Sequence, residues 1–358
     1  MLKPSKEVEY KKLVSQEPML LVCDLGGTNC NFGVFTGRDT PELIRSVHYK
    51  SQQIEDFPSF VASVLEYIKK TYGFALSQIC FAVAGVIQGS NVKPTNLPFI
   101  VDADAIKGAT GLKTVLLAND FQVIGYGLHL IDPQAIVCVL PGSTLPQGVK
   151  GIIGAGTGLG KSIIVDAGAG QYKTLSSEGG HADFPAYSEL ELELVRFIQT
   201  LKENTFPVSW EDLLSGNGIG RMYTFFKNKN ANNSDPINIK SSLQELQPDE
   251  IFNARHRDLY CWDTYQLYAR IYARCAKNFA LETLAYGGIY IAGGIAAKNL
   301  DLFKEKEFET SWYYNGKHAD VLRRIPVYVI TDYNISLYGA AQYLHIHGQG
   351  ISSENHRI

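Results

Sequence analysis

The chain has 358 residues, 45% of them hydrophobic and 19% charged, and its 33 basic and 36 acidic side chains leave a net charge of -3. That length exceeds the usual reach of one hydrophobic core, which predicts two domains, and the composition is that of a globular protein and excludes a disordered one. A near-neutral balance supplies no general field to hold a polyanion or an acidic membrane, so no nucleic-acid or membrane partner is expected and any phosphate must be held locally.

The first stretch, MLKPSKEVEYKKLVSQEP, carries charge throughout, and the apolar run after it, Met19 to Cys23, is too short for a signal-peptide core. No stretch approaches the roughly 20 apolar residues of a spanning helix. Cys23, Cys30, Cys80, Cys138, Cys261 and Cys275 are scattered, with no CxxC pair and no zinc-site spacing, as expected of reduced thiols in a cytoplasmic protein.

From residue 19, MLLVCDL reads as a strand, Gly26 and Gly27 as a tight turn, and NFGVF as the returning strand. Phe60, Val64, Tyr67 and Ile68 recur at helical spacing and predict a helix over 57–72. The apolar run QICFAVAGVI follows, then a strand TVLLA that ends at Asn119 and Asp120. KGIIGAGTGLGKSIIVDAG repeats the strand, glycine turn and strand of the opening, a single pair of segments that hints at duplication. ELELELVRFIQTL reads as a helix, KNKNANNSDPINIKSS as a surface excursion, and Tyr268, Ile271, Tyr272, Cys275 and Phe279 mark a long helix ended by Gly287 and Gly288. Strands alternating with helices predict a largely parallel α/β sheet, which presents ligands at the carboxyl ends of its strands.

Ala155 to Ser162, AGTGLGKS, fits a loose P-loop pattern. A P-loop must run straight into a helix, yet Ile163, Ile164 and Val165 predict a β-branched strand, so a hairpin is expected here. Glycines at 154, 156, 158 and 160 exceed what a hairpin turn needs and would let backbone amides close on an anion. Asp24, with Thr28 beside the first glycine turn, suits a hydrated Mg²⁺ held through water between phosphate oxygens, although both side chains also suit a turn that bonds its own backbone.

These motifs form an arrangement. DLGGTN at 24–29 and GAGTGLG at 154–160 resemble the two phosphate motifs of the hexokinase, actin and heat-shock ATPase superfamily. LLANDFQVIGYG (116–127), SSEGGHADFPAYSELE (176–191), SWEDLLSGNGIGRMY (209–223) and GGIYIAGGI (287–295) resemble successive blocks of the bacterial-type glucokinase family, over about residues 19 to 345. Cys30, Asn31 and Asn217 depart from that family's usual residues, none at a catalytic position. The implied fold is α/β, with two actin-like (ribonuclease H-like) lobes and an interlobe active-site cleft. The small lobe would comprise 1–130 plus 332–358 and the large lobe 131–331.

The resemblance implies an ATP-dependent glucokinase that makes glucose 6-phosphate. Asp120 would be the base that takes the proton of the sugar 6-hydroxyl, though an Asp at a strand-to-helix junction also suits an N-cap. Asn96, Asn119, Glu178, His181 and Glu211 would bind the sugar, Glu211 having the alternative of a helix-start acid. Asp24, Gly26, Gly27, Thr28, Asn29, Gly156, Thr157, Gly158, Gly293 and Gly294 would bind ATP, with Mg²⁺ at Asp24. A kinase for another hexose or an N-acetylated sugar, and a non-catalytic sugar sensor, are the competing readings. The family is often dimeric, so a homodimer is among the expectations.

Overall fold

The computed structural model describes residues 3–12, 18–94, 97–168, 171–202, 206–231 and 246–348. The chain divides into two compact units, Met1–Pro133 with Asn334–Ile358, and Gln134–Tyr333.

In the first unit the strands are β1 (Lys6–Glu9), β2 (Met19–Leu25), β3 (Asn29–Thr36), β4 (Leu43–Lys50), β5 (Gln78–Val83), the short β6 (Ile87–Gln88), β7 (Asn91–Val92) and β8 (Val101–Asp102), and β9 (Thr114–Asn119). The main sheet runs β1-β4-β3-β2-β5-β9, with β2 and β3 antiparallel and β2, β5 and β9 parallel. β2 is apolar at nearly every position because both of its faces are covered. Leu21, Cys23 and Leu25 enter one core with the helix Phe57–Tyr72, while Leu20 and Val22 enter another with the helix Ile335–Gly348. The period of two along a strand separates those faces.

Phe57–Tyr72 is bounded as its sequence dictates. The Asp56 carboxylate accepts from the Ser59 N–H at 3.0 Å, a proline lies in the first turn, and Gly73 closes the helix at φ 75°. The helix Asp120–Gly127 lies so near Ile335–Gly348 that a Cβ on Gly127 would stand 2.6 Å from the Ile335 carbonyl oxygen. A side chain there would push the helix that begins with Asp120 away from Ile335–Gly348.

The second unit has β10 (Ile136–Leu140), β11 (Lys150–Ala155), β12 (Leu159–Gly168), β13 (Gln171–Ser177), β14 (Gly288–Ala292) and β15 (Val327–Ile330). Its sheet runs β10-β15-β14-β11-β12-β13, with the β11–β12 hairpin antiparallel and β11, β14 and β15 parallel. Hairpin plus two parallel strands is the plan of the first unit, so the pair of glycine-turn segments seen in the sequence opens the same topology twice. The core gathers on the helix Leu259–Thr283, whose Tyr265, Tyr268 and Tyr272 are wholly buried.

Two sequence readings are corrected. The long helix ends at Thr283, with Leu284 left-handed at φ 46°, rather than at Gly287 and Gly288. Those glycines enter β14, where Gly288 takes φ 110° and a Cβ on Gly287 would collide with the Gly148 carbonyl. Residues 227–231 of the polar stretch continue the helix Gly216–Ala231, because Asn228 is buried and returns its amide to the Thr224 carbonyl at 2.9 Å. The rest of that stretch lies outside the described residues. Among the described residues no helix is long and apolar enough to cross a membrane.

Candidate functional site

The strand–turn–strand reading of AGTGLGKS holds: Ala155 pairs with Leu159 across the turn, and the residues after Lys161 continue β12. The turn is closed by the Gly156 N–H donating to the Gly158 carbonyl at 2.8 Å. The Gly156 carbonyl accepts from the Gly216 N–H at 2.9 Å, which ties the hairpin to the start of the helix Gly216–Ala231.

Glu211 lies on this hairpin. Its Oε2 accepts from the Leu159 N–H at 2.8 Å, and a Cβ on Gly158 would come within 2.6 Å of the same oxygen. Glu211 sits in the short helix Trp210–Leu213, but the capping falls to Ser209 and Asp212: the Ser209 N–H donates to Asp212 at 3.0 Å. Burial alone would raise the Asp212 carboxyl, but the Ser209 N–H, Lys202 and Arg221 outweigh it and hold it below its ordinary value. With the helix start satisfied by Asp212, the Glu211 carboxylate is turned to the glycine hairpin, which separates the two readings of that residue.

The loop Glu178–His181 is pressed onto the same place. The Glu211 N–H donates to the Gly180 carbonyl at 2.9 Å, and a Cβ on Gly180 would collide with the Leu159 carbonyl oxygen. His181 Nδ1 stands 4.0 Å from Glu211 Oε1 and its Nε2 3.8 Å from Glu178 Oε2, with both Glu178 and His181 about half exposed. Two carboxylates and an imidazole thus converge on one accessible spot against the hairpin, an array suited to the hydroxyls of a sugar. Gly293, at φ 92°, adjoins the other strand of the hairpin beside the same turn, where a Cβ would stand 2.7 Å from the Ala155 carbonyl oxygen. Gly294 opens the short helix Gly294–Lys298.

In the first unit, the Gly26 N–H donates to the Asn29 carbonyl at 2.9 Å and so shapes the turn of DLGGTN, leaving Gly27 partly open and Thr28 and Asn29 exposed. Ser51 Oγ donates to the Gly26 carbonyl at 2.6 Å, and Lys50 donates to Asn29 Oδ1 at 2.8 Å. Asp24 Oδ2 accepts from Ser336 Oγ at 2.7 Å; burial pushes its carboxyl up, and the serine bond opposes the shift. Sequence reasoning missed Ser336, which lies 312 residues away with no local mark of its role.

β2, β5 and β9 are parallel neighbours, with Asp24 level with Ala82 and Ala82 level with Ala118. Asp24 and the end of β9 therefore share the carboxyl edge of the sheet, with Asp24 and Ala118 two strand spacings, about 10 Å, apart. Asn119 Oδ1 caps the following helix by accepting from the Phe121 and Gln122 N–H groups at 3.0 and 3.1 Å, and its Nδ2 faces the Gly85 carbonyl at 3.4 Å. The N-cap is thus Asn119 and not Asp120. Asp120 is the first helical residue, half-buried, with Oδ1 accepting from the Phe121 N–H at 3.0 Å. Asn96 lies outside the described residues.

Two α/β units that each open on a glycine-turn hairpin define the actin-like class of phosphate-binding proteins. Residues 21–347 match the Glucokinase family model. A glucokinase of Nostoc punctiforme is 32% identical over 336 residues, covering 90% of this chain and 98% of that protein. The crystal structure of a glucokinase from an Antarctic psychrotroph is 26% identical, with a TM-score of 0.75 and coverage of 92% of this chain and 100% of that one. A glucokinase of Balamuthia mandrillaris, solved in complex with glucose, shares the fold at 20% identity, with a TM-score of 0.76 and coverage of 92% and 94%. The chain belongs to the glucokinase family.

Proposed function

We propose that the protein is an ATP-dependent glucokinase that makes glucose 6-phosphate and ADP in the cytoplasm. The observation that carries this reading is the contact of Glu211 with the glycine hairpin, in company with Glu178 and His181. One carboxylate bonded to a phosphate-type turn and placed within a sugar-binding array couples the two substrates chemically.

In this reading Glu178, His181, Glu211 and an Asn119 N–H bind the sugar, with Asn96 as a further contact. The turns Gly26–Asn29 and Gly156–Gly158 hold the phosphates, the Gly26 and Gly156 N–H groups being spent on closing them, while Gly293 and Gly294 adjoin the adenosine. The sugar 6-oxygen forms a bond to the γ-phosphorus as the bond from that phosphorus to the β,γ-bridging oxygen breaks, and Asp120 receives the hydroxyl proton. An ordinary carboxylate is ionised at neutral pH and can do this.

Asp24 fits a hydrated Mg²⁺: it is an oxygen donor at a strand end, partly removed from water, whose ionised form a cation would favour. When bound, that ion would neutralise charge on the phosphates. The six cysteines are free, five of them buried, in keeping with a reducing compartment.

The test is ADP release in a coupled assay over a panel of sugars and phosphoryl donors. Glucose with MgATP should give the highest kcat/KM. A higher value with another hexose or an N-acetylated sugar would replace glucose in the reading, and glucose binding without ADP release would make the protein a sensor.

A further inference from the structure

The Gln134–Tyr333 unit holds a cavity that shares no lining residue with the site above. Its volume is about 650 Å³, within the range of small-molecule sites, and it opens between the loop at Pro185, the helix Leu259–Thr283 and the helix Lys306–Tyr313. Arg270, Arg274 and Lys277 line it from one face of the long helix, four and three residues apart.

The charges around it do not balance. Arg274 is satisfied, donating to Glu191 Oε1 and to the Pro185 carbonyl, each at 2.6 Å. Arg270 Nε is buried without a hydrogen-bond partner, and the nearest oxygen of Glu307, the one acid lining the cavity, is 3.5 Å away. Lys277 is 7% exposed and donates to the carbonyls of Tyr314 and Ser311 at 2.9 and 3.3 Å, with no carboxylate partner among the described residues. Among the described residues, three cations therefore face two acids, Glu191 and Glu307. Burial and the neighbouring Arg274 charge push the Lys277 ammonium down, the mark of a cation short of a counter-ion.

An uncompensated buried cation is costly, and a bound anion removes the cost. Guanidinium and ammonium donors converging from one helix suit the several acceptor oxygens of a phosphate better than the two of a carboxylate. Beyond them the wall is built for a polar body: Thr310 and Asn278 supply a hydroxyl and an amide, and Tyr187 and Tyr314 stand at 60% and 72% exposure. We propose that this cavity binds a small hydroxylated phosphomonoester, its phosphate against Arg270 and Lys277 and its body against the tyrosines.

Isothermal titration of the whole chain with ribose 5-phosphate, inorganic phosphate and acetate tests this, glucose being kept saturating. The ester should bind at one site, more tightly than inorganic phosphate, and acetate more weakly than either. Lys277→Met should weaken both phosphates about tenfold or more, as expected for loss of a charged donor. Arg270→Gln, at a more open position, should act in the same direction and decides the matter if the lysine variant does not fold. Tyr187→Ala should weaken the ester and leave inorganic phosphate unchanged, and Glu211→Ala should leave both unchanged, which separates this cavity from the glycine hairpin. No binding of the ester, or binding indifferent to Lys277 and Arg270, overturns the proposal. Equal affinity for ester and inorganic phosphate makes it a free-phosphate site, and tighter binding of acetate overturns the phosphate assignment.

Discussion

Glu211 Oε2 accepts a hydrogen bond from the Leu159 N–H at 2.8 Å, so one carboxylate belongs both to the cluster with His181 and Glu178 and to the strand that leaves the glycine turn. The bond joins residues 52 apart in sequence and leaves the second oxygen, Oε1, facing His181.

Removing that carboxylate should therefore affect both substrates. In Glu211→Ala the Leu159 N–H loses its partner and the hairpin loses its brace, so KM should rise about tenfold or more for glucose and measurably for ATP as well. Steady-state kinetics with each substrate varied in turn checks this. A rise confined to glucose would show that the carboxylate does not position the phosphate turn.

Asp120 should behave as a group that acts mainly in the transition state. Asp120→Ala is expected to lower kcat by about 10²-fold or more while glucose affinity stays within roughly tenfold. Turnover by stopped-time assay and glucose binding by intrinsic fluorescence measure the two independently, and near-native kcat would remove Asp120 as the base. Because Asn119 supplies the helix cap, the substitution should cost little stability.

Asp24 carries a burial penalty in its charged form, and the sign of its effect on stability follows. Its carboxyl is raised in the folded protein, so the folded state favours the protonated form, and that contribution is lost as pH rises through the folded value. Asp24→Asn should thus raise Tm at pH 7, with the gain shrinking as pH falls toward the ordinary carboxylate range, while activity with MgATP drops. Thermal unfolding of both proteins between pH 4 and 8, a window set by that upward shift, gives the answer. A gain that persists undiminished at the acid end would assign it to something other than the charge.

The buried pair of Glu191 and Arg274 should show strong coupling. Glu191 is wholly buried and its partner 9% exposed, so Glu191→Gln leaves an unpaired guanidinium and should cost about 3 kcal/mol or more. The double variant Glu191→Leu, Arg274→Met should recover much of that loss. Denaturant unfolding of Glu191→Leu, of Arg274→Met and of the double variant measures the coupling, and additive losses would contradict it.

The local elements were legible because their signals are local. Asp56, Pro58 and Gly73 bracket the helix Phe57–Tyr72, and Ile163, Ile164 and Val165 mark β12 as a strand, ruling out the P-loop that the glycines and Lys161 suggest. Leu284 was missed as the end of the long helix because a left-handed leucine has no sequence signature, whereas the two glycines after it do. An N-cap at Asp120 stood as the alternative to its role as base because Asn and Asp both suit that position, and only the hydrogen bonds show that Asn119 is the cap.

What the sequence determined by itself was the class: periodicities of two and 3.6 set strands and helices, and the ordered glycine and acidic blocks pointed to the family, since both kinds of information lie within a few neighbouring residues. What only the tertiary structure decided was which distant groups share an atom's length of space. Ser336 meets Asp24 across 312 positions, Glu211 meets Leu159 across 52, and Lys277 is buried with no acid as partner among the described residues. Such pairings depend on how sheets and helices pack, and close packing is a property of the whole folded chain that no short window of residues contains.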